Sequence, residues 1–232
     1  MTGILVALDL PSVDAAVGMA HSVKAHVTGF KVGLGLLHGE PNSVERVAEV
    51  GLPVFVDAKL HDIPAQVESA ARALGRRGAR WVTAHIPGGA SMLEAAVAGL
   101  AEGSAGGAGI LGVSVLTSLG GEDLTDIGVI GPPERAVERL VHIAEAIPIE
   151  GVVCAVREVS VVRQVSTRLI TVTPGIRPAG VGDHDQKRTA TVRMALEAGS
   201  DYLVVGRAIT AEDDPVRAAA AMAKEIAAET MV

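Results

Sequence analysis

The stretch Val54-Phe55-Val56-Asp57-Ala58-Lys59-Leu60-His61-Asp62-Ile63-Pro64 decides the fold. It opens as an apolar run of the kind found in strands buried on both faces, as in a parallel sheet covered by helices. The run then meets three charged groups within six positions, Asp57, Lys59 and Asp62. Residues two apart on a strand share a face, so Asp57 and Lys59 are expected to project together past the strand's end as an ion pair. Pro64 suits the first position of a helix, with Asp62 near its cap. Taken alone, D-x-K-x-x-D fits a structural salt bridge with a helix cap as well as it fits catalysis.

Outward from this stretch, short β-rich apolar runs alternate with Ala-rich amphipathic segments about eight times, the pattern of repeated βα units and a parallel sheet. Strands are expected near 4–9, 29–34, 53–59, 80–86, 109–116, 151–156, 169–174 and 202–206. Helices are expected near 12–26, 41–50, 64–77, 89–101, 132–146, 158–166, 187–198 and 213–228. Eight units without a G-x-G-x-x-G turn after the first strand favour an α/β fold of the (β/α)8 TIM-barrel type over a doubly wound sheet. No linker-like stretch interrupts residues 1–232, which read as one domain.

In such a barrel the functional groups gather at the C-terminal ends of the strands. Asp9, Lys31, Asp57, Lys59 and His85 fall at or near the first four ends, and Thr117 and Ser118 follow the fifth. Thr173-Pro174-Gly175-Ile176-Arg177 ends the seventh, and Gly206-Arg207 the eighth. Loops after strands seven and eight of this fold frequently bind phosphate, and Gly206-Arg207 offers close backbone approach beside a bidentate cationic fork. The Gly- and Asp-rich segment 180–186 is long enough to act as a lid.

Composition narrows the partners. A formal charge of −7, scattered basic residues and only four aromatic side chains argue against a nucleic-acid surface and for a small soluble substrate. The start lacks a basic segment and reaches Asp9 too soon for a secretory signal, and the uncharged run 103–121 is too rich in Gly and Ser to span a membrane. A cytoplasmic protein is expected. Cys154, the single cysteine, lies in an apolar run and reads as packing, as do Met92, Met194, Met222 and Trp81. The histidines show no metal-ligand spacing, His61 reads as a loop residue, and no cofactor motif or metal site is visible.

The chain resembles the orotidine 5′-monophosphate decarboxylase family. The resemblance is carried by Leu8-Asp9, Phe30-Lys31-Val32-Gly33, Asp57-x-Lys59-x-x-Asp62-Ile63-Pro64 and Val115-Leu116-Thr117-Ser118. It continues in Thr173-Pro174-Gly175-Ile176-Arg177-Pro178, Asp185-Gln186-Lys187-Arg188 and Asp201-Tyr202-Leu203-Val204-Val205-Gly206-Arg207. It implies that Asp9 holds a ribose hydroxyl and that Lys31 bridges the ribose and Asp57. It further implies that Lys59 is the catalytic centre of an Asp57, Lys59, Asp62 array, with Asp62 and Ile63 reaching into the site of a second subunit of a homodimer. Thr117 would face the pyrimidine, with Pro174 nearby. Arg177, Gln186, Gly206 and Arg207 would gather around the phosphate. Two positions depart from the family pattern: Ala65-Gln66 stand where a Thr is usual, and His184 in the lid has no assigned role.

Losing carbon dioxide from C6 of orotate leaves a carbanion with no adjacent carbonyl to delocalise it, so either a cofactor sink or a strong local field must stabilise it, and no cofactor motif is visible. A fixed ammonium does so and can then protonate C6, which gives Lys59 two roles. Two alternatives stay open on sequence: a magnesium-dependent sibling of the 3-keto-L-gulonate 6-phosphate decarboxylase type, which shares D-x-K-x-x-D, and a nucleotide-binding barrel without turnover.

Overall fold

A computed structural model describes residues 2–177 and 190–230. Eight parallel strands close into a barrel in sequence order, β1 pairing with β8. The strands are β1 (Gly3–Ala7), β2 (Gly29–Val32), β3 (Val54–Leu60), β4 (Trp81–His85), β5 (Gly109–Val113), β6 (Gly151–Val153), β7 (Ile170–Thr173) and β8 (Tyr202–Val205). All eight coincide with the expected apolar runs, most being one to three residues shorter, because pairing stops where the barrel mouth opens.

The helices are α1 (Val13–Val23), α2 (Leu34–Gly39), α3 (Ser43–Ala48), α4 (Pro64–Arg76), α5 (Ala90–Gly103), α6 (Gly121–Asp126), α7 (Pro133–Glu145), α8 (Val159–Val165), α9 (Val192–Glu197), α10 (Arg207–Thr210) and α11 (Pro215–Thr230). Three short ones, α2, α6 and α10, have no counterpart among the expected helices. The first part of the helix expected at 187–198 lies outside the described residues.

Two apolar layers hold the fold. Inside the barrel Leu5, Ala7, Phe55, Trp81, Leu111, Val172 and Val204 pack into a closed interior, the packed core that fills barrels of this kind. A larger layer between strands and helices includes Val6, Phe30, Val56, Val82, Ile110 and Leu203 from the outward strand faces. At the N-terminal end Trp81 stacks edge-on to Tyr202 and donates to Glu150 Oε1 at 3.0 Å, while Arg80 clamps the same carboxylate. Trp81 is therefore packing at the end away from the site, as the sequence suggests.

Candidate active site

At the end of β3 the simple strand alternation breaks. Val56 pairs with Val82 of β4 and Leu60 with Ala84, so Asp57, Ala58 and Lys59 lie opposite the single residue Thr83. The chain absorbs the surplus in a bulge, which re-aims side chains where a site needs them. Lys59 takes a left-handed conformation with φ of 48°, a state that costs a non-glycine residue roughly 1–2 kcal/mol. Lys59 and Asp57 thus meet through the bulge rather than through plain alternation. Lys59 Nζ donates to Asp57 Oδ2 at 2.6 Å. Thr83 is fully buried and makes two bonds here: its hydroxyl accepts from the Lys59 backbone N–H at 2.8 Å and donates to Asp57 Oδ1 at 3.0 Å.

A second pair stands beside the first. Lys31 on β2 is buried, and its ammonium donates to both carboxylate oxygens of Asp9, at 2.9 and 3.2 Å. Lys31 is therefore paired with Asp9 within this chain. Gly33 explains how the pair fits: a Cβ there would sit 2.3 Å from Asp9 Oδ1 and 2.7 Å from Lys31 Nζ. After β7, Gly175 turns the chain with φ of 80°, a conformation suited to glycine. The Arg177 N–H then bonds the Ala190 carbonyl at 2.9 Å, tying together the two ends of the described chain around 178–189.

One cavity of about 670 Å³ gathers Asp9, Lys31, Asp57, Lys59, Thr117, Pro174, Arg177, Gly206 and Arg207. Phe55, Val113, Val153 and Val204 contribute apolar surface to it. Cys154, read as packing, lines it too while almost wholly buried. Among the described residues, four cationic side chains and three anionic ones, Glu212 being the third, line this cavity in a chain whose overall charge is −7. Such a balance suits a small anionic ligand.

Asp62 and Ile63 do not line this cavity. Residues 61–66 are all exposed, Ile63 at 64%. Nor does Asp62 cap α4: Ile63 occupies the cap, and the Asp62 carboxylate accepts the Ile63 N–H at 2.6 Å instead. Gln186 and His184 lie outside the described residues. His85 ends β4 but lines a neighbouring apolar cavity, with its ring 5.3 Å from that of His61. Burial, then the proximity of His61 and Lys59, pushes its pKa below the usual histidine value, with Asp57 partly opposing. Thr83 went unremarked in the sequence, because a β-branched residue in a strand is ordinary. Its one signal is being polar within an apolar run.

An eight-stranded parallel barrel carrying paired lysines and carboxylates in a cavity at its strand ends defines a (β/α)8-barrel enzyme. Comparison with known proteins makes this specific. The chain belongs to the orotidine 5′-phosphate decarboxylase / HUMPS family, whose sequence model matches residues 2–222. It is 45% identical over 222 residues to a protein of Anaeromyxobacter sp. (strain K) named orotidine 5′-phosphate decarboxylase, covering 95% of this chain and 96% of that one. A protein of the same name from Halorhodospira halophila is 44% identical over 227 residues, covering 97% and 96%. The crystal structure of orotidine 5′-phosphate decarboxylase from Lactobacillus acidophilus superposes with a TM-score of 0.85 at 32% identity, covering 97% of this chain and 99% of that one.

Proposed function

We propose that this chain, acting as one barrel domain, decarboxylates orotidine 5′-monophosphate to UMP without a cofactor, in pyrimidine biosynthesis. The observation that carries this is the Lys59–Asp57 pair, 2.6 Å apart, in the same cavity as Arg177 and Arg207. The arginines suit a phosphate, Asp9 with Lys31 suits ribose hydroxyls, and Thr117 and Pro174 border the space left for the base.

The chemistry then follows from charge. The bond between C6 and the carboxylate breaks, and its electron pair stays on C6. The Lys59 ammonium stabilises that pair and transfers a proton to it, forming the C6–H bond of UMP as carbon dioxide leaves. Asp57 beside the substrate carboxylate raises the ground state relative to the transition state. Lys31 keeps the array charged from within the same cavity, and Asp62 joins it only across the proposed subunit interface. Binding energy from the remote phosphate, gathered by Arg177, Gly206, Arg207 and Gln186, helps hold the base in a dry site.

The same proposal includes a homodimer with shared sites. Asp62 and Ile63 are exposed and do not line their own chain's cavity, and Ile63, with Ile127 at 65% and Ile130 at 87% exposed, offers apolar surface to a second copy. Among the described residues no helix is long and apolar enough to cross a membrane; with a small nucleotide as substrate, the cytoplasm is the proposed location.

Assaying the purified protein side by side on orotidine 5′-monophosphate and, with magnesium, on 3-keto-L-gulonate 6-phosphate tests this function. Turnover of the nucleotide alone supports it. Turnover of the sugar phosphate alone contradicts it, and tight UMP binding without turnover of either leaves a binding barrel.

A further inference from the structure

We propose that Thr83 is a positioning residue for the Asp57/Lys59 pair and acts through its hydroxyl group. The proposal rests on the decarboxylase reading and deepens it.

The bulge creates the need. With three residues of β3 opposite one of β4, the Lys59 N–H has lost the ladder partner that regular pairing would supply, and a backbone donor in a part-buried setting requires another. The Thr83 hydroxyl is that partner, at 2.8 Å. Since the backbone N–H can only donate, the Thr83 oxygen accepts it and its own proton must go elsewhere. Asp57 Oδ1 lies 3.0 Å away and accepts it. One hydroxyl, fully buried on a central strand, thus ties the main chain of the lysine to the side chain of its partner carboxylate.

Each half of the pair is then fixed at two points. Asp57 is held at Oδ1 by Thr83 and at Oδ2 by the Lys59 ammonium. Lys59 is held at its N–H by Thr83 and at Nζ by Asp57. The resulting loop locks both the left-handed Lys59 backbone and the carboxylate plane. No other side-chain group among the described residues bonds Asp57 Oδ1 or the Lys59 N–H. Thr83 does not line the cavity, so its action is on the pair and not on substrate.

Thr83→Val keeps shape and β-branching but removes both bonds, whereas Thr83→Ser keeps the hydroxyl. On orotidine 5′-monophosphate, Thr83→Val should lower kcat by about tenfold to a hundredfold with KM within about threefold, the scale expected when a reacting group is misplaced by a fraction of an ångström to one ångström. Thr83→Ser should recover most of the loss. A folded Thr83→Val enzyme with wild-type kcat would overturn the proposal, as would a Thr83→Ser enzyme no better than Thr83→Val. A crystal structure of Thr83→Val tests the geometry without turnover: displacement of Lys59 or Asp57 supports the role, and an unchanged pair overturns it. Wild-type inactivity on the nucleotide would count against the decarboxylase reading, while the crystallographic arm still decides whether Thr83 holds the pair.

Discussion

Lys59 Nζ lies 2.6 Å from Asp57 Oδ2, and the two side chains are only 29% and 17% exposed. An ammonium so placed is fixed before substrate arrives, so little reorganisation is required when charge develops on a neighbouring carbon. Truncating it removes both the field and the proton donor. Lys59→Ala should therefore lower kcat by about 10⁴-fold or more, the product of two such contributions, while circular dichroism and melting temperature change little. Activity near wild type would remove Lys59 from the mechanism.

Gly33→Ala should damage the site without damaging the fold. The added methyl would fall 2.3 Å from Asp9 Oδ1 and 2.7 Å from Lys31 Nζ, both free ends of side chains that can swing aside. The pair separates and the backbone stays. We expect kcat/KM to fall by about tenfold or more, a loss of about 1.4 kcal/mol in transition-state binding, with a thermal midpoint close to wild type. A variant that melts much earlier, or one with unaltered kcat/KM, would contradict this.

Arg207 is expected to act on rate as well as affinity, since remote binding energy supports the reacting end of the substrate. Arg207→Ala should raise KM and lower kcat on orotidine 5′-monophosphate. It should also narrow the enzyme's preference for that nucleotide over orotidine, which lacks the phosphate. An unchanged ratio between the two substrates would place the phosphate elsewhere.

His85 gives a pH dependence whose sign can be worked out. Burial first, then His61 and Lys59, holds its folded pKa below the ordinary value. As pH falls through about 6.5 the unfolded chain takes up a proton, while the folded His85 remains neutral until a lower pH. The unfolded state binds more protons in that window, so stability is present above it and is lost on acidification. Urea unfolding near pH 7 and near pH 5.5 should show a smaller decline for His85→Gln than for wild type. Equal declines would show that His85 is not the group responsible.

Most of the barrel was legible because its strands are buried on both faces and read as apolar runs separated by amphipathic segments. The short helices were not. Leu34–Gly39 carries two glycines, and Arg207–Thr210 is barely one turn, so neither presents the periodicity that marks a helix. At the site, chemistry at strand ends was readable from fold class alone, since charged residues in apolar strands are conspicuous. Pairing was harder. That Lys31 meets Asp9, and that three residues of β3 face Thr83, depend on register and on a bulge, neither of which is encoded in residue type. Asp62 and Ile63 have no role within one chain's cavity, and a sequence says little about where a second copy sits.

The most direct test of the central claim is the rate at which purified wild-type protein converts orotidine 5′-monophosphate to UMP in the presence of EDTA. Rapid, chelator-insensitive formation of UMP is the expected result, because the Lys59 ammonium supplies the charge stabilisation. Failure to form UMP, or formation that stops with EDTA and returns with magnesium, would contradict a mechanism built on the Lys59–Asp57 pair alone.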